Sequence, residues 1–183
     1  VDKRFWIVAC LIVLALPFQG CGYTSDSLLP KELDSIHVDN FTNMIDPTRE
    51  ISDRRMNYFY IPGMETEVTR AAIDGFIFER HLKVVPEKEA SMTLKGALVD
   101  IRQYPLSYSH GDSPSVEEFR LEVYVDIELY NNLTGKMMWK ENRFMGWTSY
   151  AITGPNMKSQ AEAQRDAVKD LSQRIVERVV ENW

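Results

Sequence analysis

Residues 119–130 alternate strictly. Phe119, Leu121, Val123, Val125, Ile127 and Leu129 are apolar, with Arg120, Glu122, Tyr124, Asp126, Glu128 and Tyr130 between them. Side chains on a strand point to opposite faces in turn, so the pattern predicts one buried face and one wet face. Glu122 is then a solvated residue whose loss is nearly silent. Residues 131–135 are rich in turn formers, and residues 136–147 read as the return strand, with Met137, Trp139, Met145 and Trp147 on the inner parity. Pairing Tyr130 with Lys136 sets Leu129 against Met137, Ile127 against Trp139 and Asp126 against Lys140. Apolar pairs inside and an opposite-charge pair outside favour that register. It leaves Glu141 and Arg143 on the inner parity. That defect marks either a bulge or a place where the apolar layer ends and faces a partner.

Upstream, residues 92–104 predict another long strand. Met92, Leu94 and Leu98 share one parity and Val99 and Ile101 the other, which places a bulge or twist near Leu98-Val99. Residues 35–41 and 82–85 predict short strands. Residues 42–63 and 105–117 are polar and broken by Pro and Gly, so they read as connections. Residues 64–82 predict a helix with Glu65 and Glu67 in its first turn, favourable at the positive end of the helix dipole. Val68, Ala71, Ala72, Gly75 and Phe76 form one apolar face, narrow enough to sit close on a sheet. Ser159-Gln160-Ala161-Glu162 is a capping box opening a second helix that runs to about residue 182. Its predicted stripe is Ala161, Val168, Leu171, Ile175 and Val179, widened by Ala167, Val176 and Val180. The expected fold is α/β (α+β): a two-layer sandwich, with two helices on one face of a mixed, largely antiparallel sheet of four to five strands. Residues 34–183 form its single domain, without repeats.

The first residues follow a different rule. Asp2-Lys3-Arg4 precedes an apolar run from Phe5 to Leu16. A spanning helix needs about 20 apolar residues, so this shorter run fits the core of an export signal better than a permanent anchor. Gly20-Cys21 follows directly, and its order resembles the lipobox of bacterial lipoproteins, in which the Cys becomes the lipidated first residue of the mature chain. Residues 1–20 are then a lipoprotein signal peptide and residues 21–33 a lipidated tether. The alternative is an ordinary cleaved signal followed by an unrelated Cys. Gly22 in place of the Asp that retains such lipoproteins at the inner membrane implies the outer membrane, with the domain on the periplasmic side.

Charge and chemistry narrow the function. The 183 residues carry 21 Lys+Arg and 27 Asp+Glu, net −6. Losing Asp2, Lys3 and Arg4 with the signal makes the mature chain net −7. An acidic chain without a basic block argues against nucleic-acid binding. His37, His81 and His110 have no metal-ligand spacing, so no metal is expected. There is no Gly-rich phosphate loop, nucleophile elbow or Cys-x-x-Cys. Ser109-His110 places a hydroxyl beside an imidazole, but in a polar loop, and nucleophile triads are set by space rather than adjacency. The expectation is a protein that is not an enzyme and has no cofactor beyond a covalent lipid on Cys21.

Cys21-Gly22-Tyr23, Leu29-Pro30 and the strand Ile36-His37-Val38-Asp39-Asn40-Phe41 together resemble the LptE family of lipopolysaccharide-assembly lipoproteins. The likeness continues through Leu94-Lys95-Gly96-Ala97-Leu98, Tyr104-Pro105-Leu106-Ser107-Tyr108, Phe119-Arg120-Leu121 and Thr134-Gly135-Lys136-Met137-Met138-Trp139. The resemblance implies a plug inside the outer-membrane barrel LptD, which helps that barrel assemble and helps insert lipopolysaccharide into the outer leaflet. It also implies contact with lipid A phosphates. An acidic domain must supply a local cationic site for them, and the candidates are Lys136, Lys95, Arg102, Arg120 and Lys140. Lys136 leads, because no acidic residue lies opposite it in the expected register. Two other readings stay open: a free periplasmic adaptor or pilotin lipoprotein of a secretion or transport system, and a periplasmic hydrolase using Ser109 and His110.

Overall fold

The computed structural model describes residues 29–30, 32–45, 57–58, 62–110 and 113–181. The expected signal peptide, Cys21 and most of the expected tether lie outside the described residues. The strands are β1 (Ser35–Val38), β2 (Thr42–Asn43), β3 (Asn57–Tyr58), β4 (Lys83–Val84), β5 (Met92–Tyr108), β6 (Val116–Asn131) and β7 (Lys136–Ala151). The helices are α1 (Met64–Glu79) and α2 (Gln160–Glu181). All strands join one sheet of order β4-β1-β5-β6-β7, and β2 and β3 extend the β1 edge of β5. β1 is parallel to β4 and β5, whereas β5, β6 and β7 form an antiparallel meander. Both helices cover one face. The two-layer α+β architecture is therefore as expected, with more strands: the two-residue β2 and β3 lie in the stretch read as a connection.

Alternation builds the core. Leu121, Val123, Val125, Ile127 and Leu129 of β6 are buried against Met92, Leu94, Leu98 and Ile101 of β5 and against Leu171, Ile175 and Val179 of α2. A fully buried side chain of this size contributes roughly 1.5–3 kcal/mol. The chain before β1 is also fixed, because Leu29 and Leu33 are buried in the same core. The phase change in β5 is a bulge: Leu98 pairs with Val125 and Asp100 with Tyr124, so Val99 is the extra residue. β5 also continues through Pro105 to Tyr108, and β6 starts at Val116. The stretch read as a loop is thus mostly hairpin.

Both helices start as their sequences dictate. Glu65 and Glu67 occupy the first turn of α1. Its chain reverses at Arg80, in the left-handed region at φ 66, where the Arg80 N–H donates to Phe76 O. At α2 the Glu162 N–H donates to Ser159 Oγ (3.2 Å) and the Ser159 N–H donates to Glu162 Oε2 (2.8 Å), the reciprocal bonds of a capping box. The buried stripe of α2 begins at Ala163, not Ala161, which is exposed.

Two glycines set the layer spacing. A Cβ on Gly146 of β7 would lie 2.4 Å from backbone and side-chain atoms of Leu171, so only glycine lets α2 rest on that strand. A Cβ on Gly96 would lie 2.1 Å from the Phe41 ring, which lies flat over that glycine. Gly75, expected against the sheet, instead faces Val176 and Ser172 of α2, so the narrow face of α1 admits the other helix.

The β6–β7 register departs from the expected one. Asn131 pairs with Lys136 and Tyr130 with Met137; after a first irregularity Leu129 pairs with Trp139 and Glu128 with Lys140; after a second, Val125 pairs with Phe144. The second is the bulge that the misplaced Arg143 announced, and Arg143 sits there at φ 54. Each irregularity inserts an extra β7 residue. Phe144 and Gly146 therefore face the helices, while Met145 and Trp147 turn to the other face beside Tyr124 and Glu122.

Candidate functional site

No described element covers the face of the sheet opposite the helices. The outward positions of β5, β6 and β7 place arginines, tyrosines and carboxylates in contact across strands. At its centre, Arg102 Nε donates to Asp100 Oδ2 (2.8 Å) and Arg143 Nη2 donates to the same oxygen (3.0 Å). Both guanidinium groups lie over the Tyr124 ring, at 5.3 and 4.5 Å from its centroid. Such cation–π contacts contribute about 0.5–1 kcal/mol when exposed and more when water is excluded. Next to this cluster, Glu122 accepts hydrogen bonds from the Tyr104 hydroxyl (2.5 Å) and the Tyr124 hydroxyl (2.6 Å). Arg120 Nε lies 3.2 Å from Glu122 Oε1 but is not aligned as a hydrogen bond; its guanidinium stacks over Trp147 at 4.1 Å. Asp100 and Glu122 are 0% and 6% exposed on a face that no helix touches.

A second row crosses the sheet nearer the β6–β7 hairpin. Asp39 Oδ1 lies 3.2 Å from His37 Nε2, and its other oxygen lies 3.9 Å from Lys95 Nζ. Lys95 sits over the Tyr130 ring at 5.3 Å. The Tyr130 hydroxyl and Lys140 Nζ each donate to Glu128 at 2.7 Å.

These contacts shift proton affinities. Burial, then the hydrogen bond to Glu122, pushes Tyr104 up to about 12. Tyr124 is raised by the same two causes in the same order. The bonds from Lys140 and then Tyr130 hold Glu128 below the usual carboxylate range, and Glu128 raises both partners in return. Burial pulls Arg143 down, but the hydrogen bond and charge of Asp100 outweigh it and leave it raised. Such a layer is a charged surface whose cations and carboxylates lie paired across its strands. It offers flat aromatic and guanidinium faces.

The family model for LptE, described as lipopolysaccharide-assembly, matches residues 33–181. The chain belongs to the LptE family. No curated protein matches its sequence. Among solved structures, a PelC dodecamer from Paraburkholderia phytofirmans is 12% identical, covering 81% of this chain and 93% of that one at TM-score 0.41. A minor lipoprotein of Acinetobacter baumannii is 9% identical, covering 80% and 92% at TM-score 0.42. Protein XCC0632 of Xanthomonas campestris is 10% identical, covering 85% and 90% at TM-score 0.48. At these identities and scores the likenesses carry no functional argument.

For this LptE-family chain, the structure gathers four of the five expected cations, Lys95, Arg102, Arg120 and Lys140, on the open face and gives each a carboxylate partner. Lys140 pairs with Glu128, not with Asp126, because of the shifted register. Asp126 instead accepts the Arg143 backbone N–H at the bulge (2.7 Å). Glu122 is the other correction: it is the buried acceptor for two tyrosines, not a solvated residue. Lys136 stands apart in the hairpin, exposed, and its ammonium makes no hydrogen bond or ion pair among the described residues. Arg143 was missed as a site residue, although a charge at an inner parity was its signal. The Ser109 Oγ lies 3.1 Å from Ser115 Oγ and accepts the Ser115 N–H (2.9 Å), which closes the β5–β6 hairpin. Among the described residues, no three His, Cys, Asp or Glu gather as a metal site, and no helix is long and apolar enough to cross a membrane.

Proposed function

We propose that this chain is an outer-membrane lipoprotein, lipidated at Cys21 and held on the periplasmic side, that plugs an LptD-type barrel. In that position it supports assembly of the barrel and assists lipopolysaccharide transport and insertion into the outer leaflet. It catalyses no reaction and takes no cofactor beyond the lipid. Family membership over residues 33–181 supports the assignment. The observation that carries the plug is the open face. Three long strands expose a broad, flat surface of Arg, Tyr, Trp and carboxylate whose charges are internally paired. A barrel lumen is polar and bounded by side chains of both signs, so a neutralised, hydrogen-bond-rich face suits it better than an apolar one.

Crosslinking from the open face, with a photoreactive residue at Tyr124 or Met145, followed by pull-down from outer membranes, tests this reading. The expected product is a covalent adduct with a large barrel protein. Adducts with soluble periplasmic proteins alone would indicate the free adaptor instead. Mass spectrometry of the mature chain tests the lipid separately, as an acylated N-terminal Cys21.

A further inference from the structure

We propose that the end of the domain farthest from Cys21 stands at the outer-leaflet mouth of the barrel and contacts the acyl chains of the lipid being inserted, through Leu106, Ile152 and Met157. The proposal rests on the reading of this chain as a lipidated barrel plug. One row of backbone pairing defines this end. Ser107 pairs with Glu118, Glu118 with Ala151, and Ala151 with Met157. The Ile152 N–H donates to Glu117 O (2.9 Å) and the Lys158 N–H donates to Ala151 O (2.9 Å), so the chain leaving β7 is tied to the same row. Met157 lies on that row, and Leu106, Tyr108 and Ile152 are each one residue from it.

All four are exposed, Leu106 by 45%, Tyr108 by 48%, Ile152 by 40% and Met157 by 68%. Apolar side chains gathered at one place on a soluble domain mark a surface that something covers. A barrel lumen is polar, so its wall covers them poorly, whereas an acyl chain covers them well. Leu133 and Met137 are exposed at the other end of the sheet, so exposure alone does not say which end meets lipid. The tether does. Leu33 is buried two residues before β1, and the stretch from Cys21 to Leu33 can extend no more than about 40 Å. A lipid on Cys21 sits in the periplasmic leaflet, outside the barrel wall. A plug turned over would hold Leu33 at the outer mouth. Its tether would then have to cross a bilayer about 40–45 Å thick and also pass round the wall. That exceeds its reach, so the start of β1 lies at the periplasmic mouth. The 17 residues of β5 run roughly 55 Å from there, enough to bring Leu106, Ile152 and Met157 to the level of the outer leaflet.

The test uses the lipidated chain in its own outer membrane, with a photoreactive residue at Leu106, Ile152 or Met157 and the same residue at Tyr124 as the barrel control. The expected products from the three end positions are lipopolysaccharide adducts, joined by mass spectrometry to a lipid A acyl chain. Adducts with the barrel alone at all three positions, while Tyr124 still crosslinks to the barrel, overturn the proposal and leave the plug standing. Loss of the Tyr124 adduct sinks the plug reading itself. A second arm tests orientation. A lone thiol in Met157→Cys should react with an impermeant maleimide on intact cells, and one in Leu133→Cys only after the outer membrane is permeabilised. The reverse order overturns the proposal. A third arm weakens the surface. The Ile152→Asp, Met157→Asp double variant should lower the lipopolysaccharide yield from position 106 about tenfold, the ratio that a loss of about 1.4 kcal/mol of apolar burial produces. An unchanged melting curve and an unchanged Tyr124 adduct are its controls. Equal yield with both controls intact removes the surface.

Discussion

On the helix-covered face of the sheet, Leu121, Val123, Val125, Ile127 and Leu129 are sealed under α2, and their burial follows from being apolar. On the opposite face nothing described lies above Asp100 and Glu122, yet both are buried. The first face is covered by a second layer; on the second, described side chains from neighbouring strands lie over one another. Arginine and tyrosine side chains are long and flat, so those on neighbouring strands fold over a short carboxylate and help to exclude water from it. The tyrosine hydroxyls and guanidinium groups then satisfy the charge they cover. The difference teaches that a polar face is not necessarily a solvated one. A preformed, interlocked polar layer can meet a partner with little further ordering of its side chains, which lowers the cost of binding.

The largest expected effect comes from putting the chemistry of one face on the other. Val125→Asp places a carboxylate in the hydrophobic core, between Leu98 and Phe144 on the neighbouring strands. An unpaired buried charge typically costs 3–5 kcal/mol, a large part of the whole stability of a domain. The expected outcome is loss of the cooperative melting transition or a much lower Tm, measured by circular dichroism.

Glu122→Ala tests whether the open face has a core of its own. A solvated glutamate would be replaced with a change within about 0.5 kcal/mol. Here the substitution strands the hydroxyls of Tyr104 and Tyr124 and leaves Arg120 without its carboxylate, so about 1–3 kcal/mol is expected. Glu122→Gln keeps the shape and an acceptor oxygen and should lose less. Urea unfolding of the three chains separates the cases. A silent alanine variant would reduce the open face to an ordinary wet surface.

Proton linkage gives a smaller effect at the same place. Tyr104 is pushed from 10.0 to about 12, so the folded state holds its proton more tightly than the unfolded chain. That contribution is fully present below pH 10 and is lost as pH rises through about 12. Wild type should lose stability across this window relative to Tyr104→Phe, which has no proton to lose. Phenolate absorbance should show late-titrating tyrosines that titrate earlier, though still late, in Glu122→Ala, since burial is the larger cause. A single ordinary titration step in both chains would contradict the contact.

The two faces also differed in how far they could be read in advance. Strict alternation from Phe119 to Leu129 was enough to assign the strand and its inner face. The order of Gly, Pro and capping residues placed both helices within a few residues. The outer face was legible as a set of residues but not as contacts, because which of them meet depends on register. β7 has irregularities near Met138 and near Arg143, and each moves every later side chain to the other face. Sequence alone therefore places Met145 and Trp147 inside and matches Lys140 to Asp126; Glu122 reads as solvated because its partners Tyr104 and Tyr124 are set by the β5–β6 pairing. The misplaced charge at Arg143 was the visible trace of the second irregularity. The first left none, since both Met137 and Met138 are apolar. Short strands such as β2 and β3 carry too few residues for any period to show.

The smallest structural effect is expected at Lys136, and that makes it the sharpest test of ligand binding. Lys95, Arg102, Arg120 and Lys140 each face a carboxylate, so removing any of them disturbs the layer as well as any ligand. Lys136 has no such tie among the described residues. Lys136→Glu should leave the melting curve unchanged, because exposed residues without partners rarely contribute more than about 0.5 kcal/mol. A phosphate held by its ammonium would make a charge-assisted hydrogen bond, about twice as strong as a neutral one and weakened by salt. Lipopolysaccharide binding by the purified domain should then fall on substitution, and the difference between the two chains should shrink from low to moderate salt. The same charge reversal at Lys140 should lower both stability and binding, since it also breaks the contact with Glu128. Unchanged binding by the Lys136 variant at both salt concentrations, with an intact fold, would move any phosphate contact onto the paired cations. Those could bind only by giving up Asp39, Asp100, Glu122 or Glu128, so binding would then have to loosen the open face measurably.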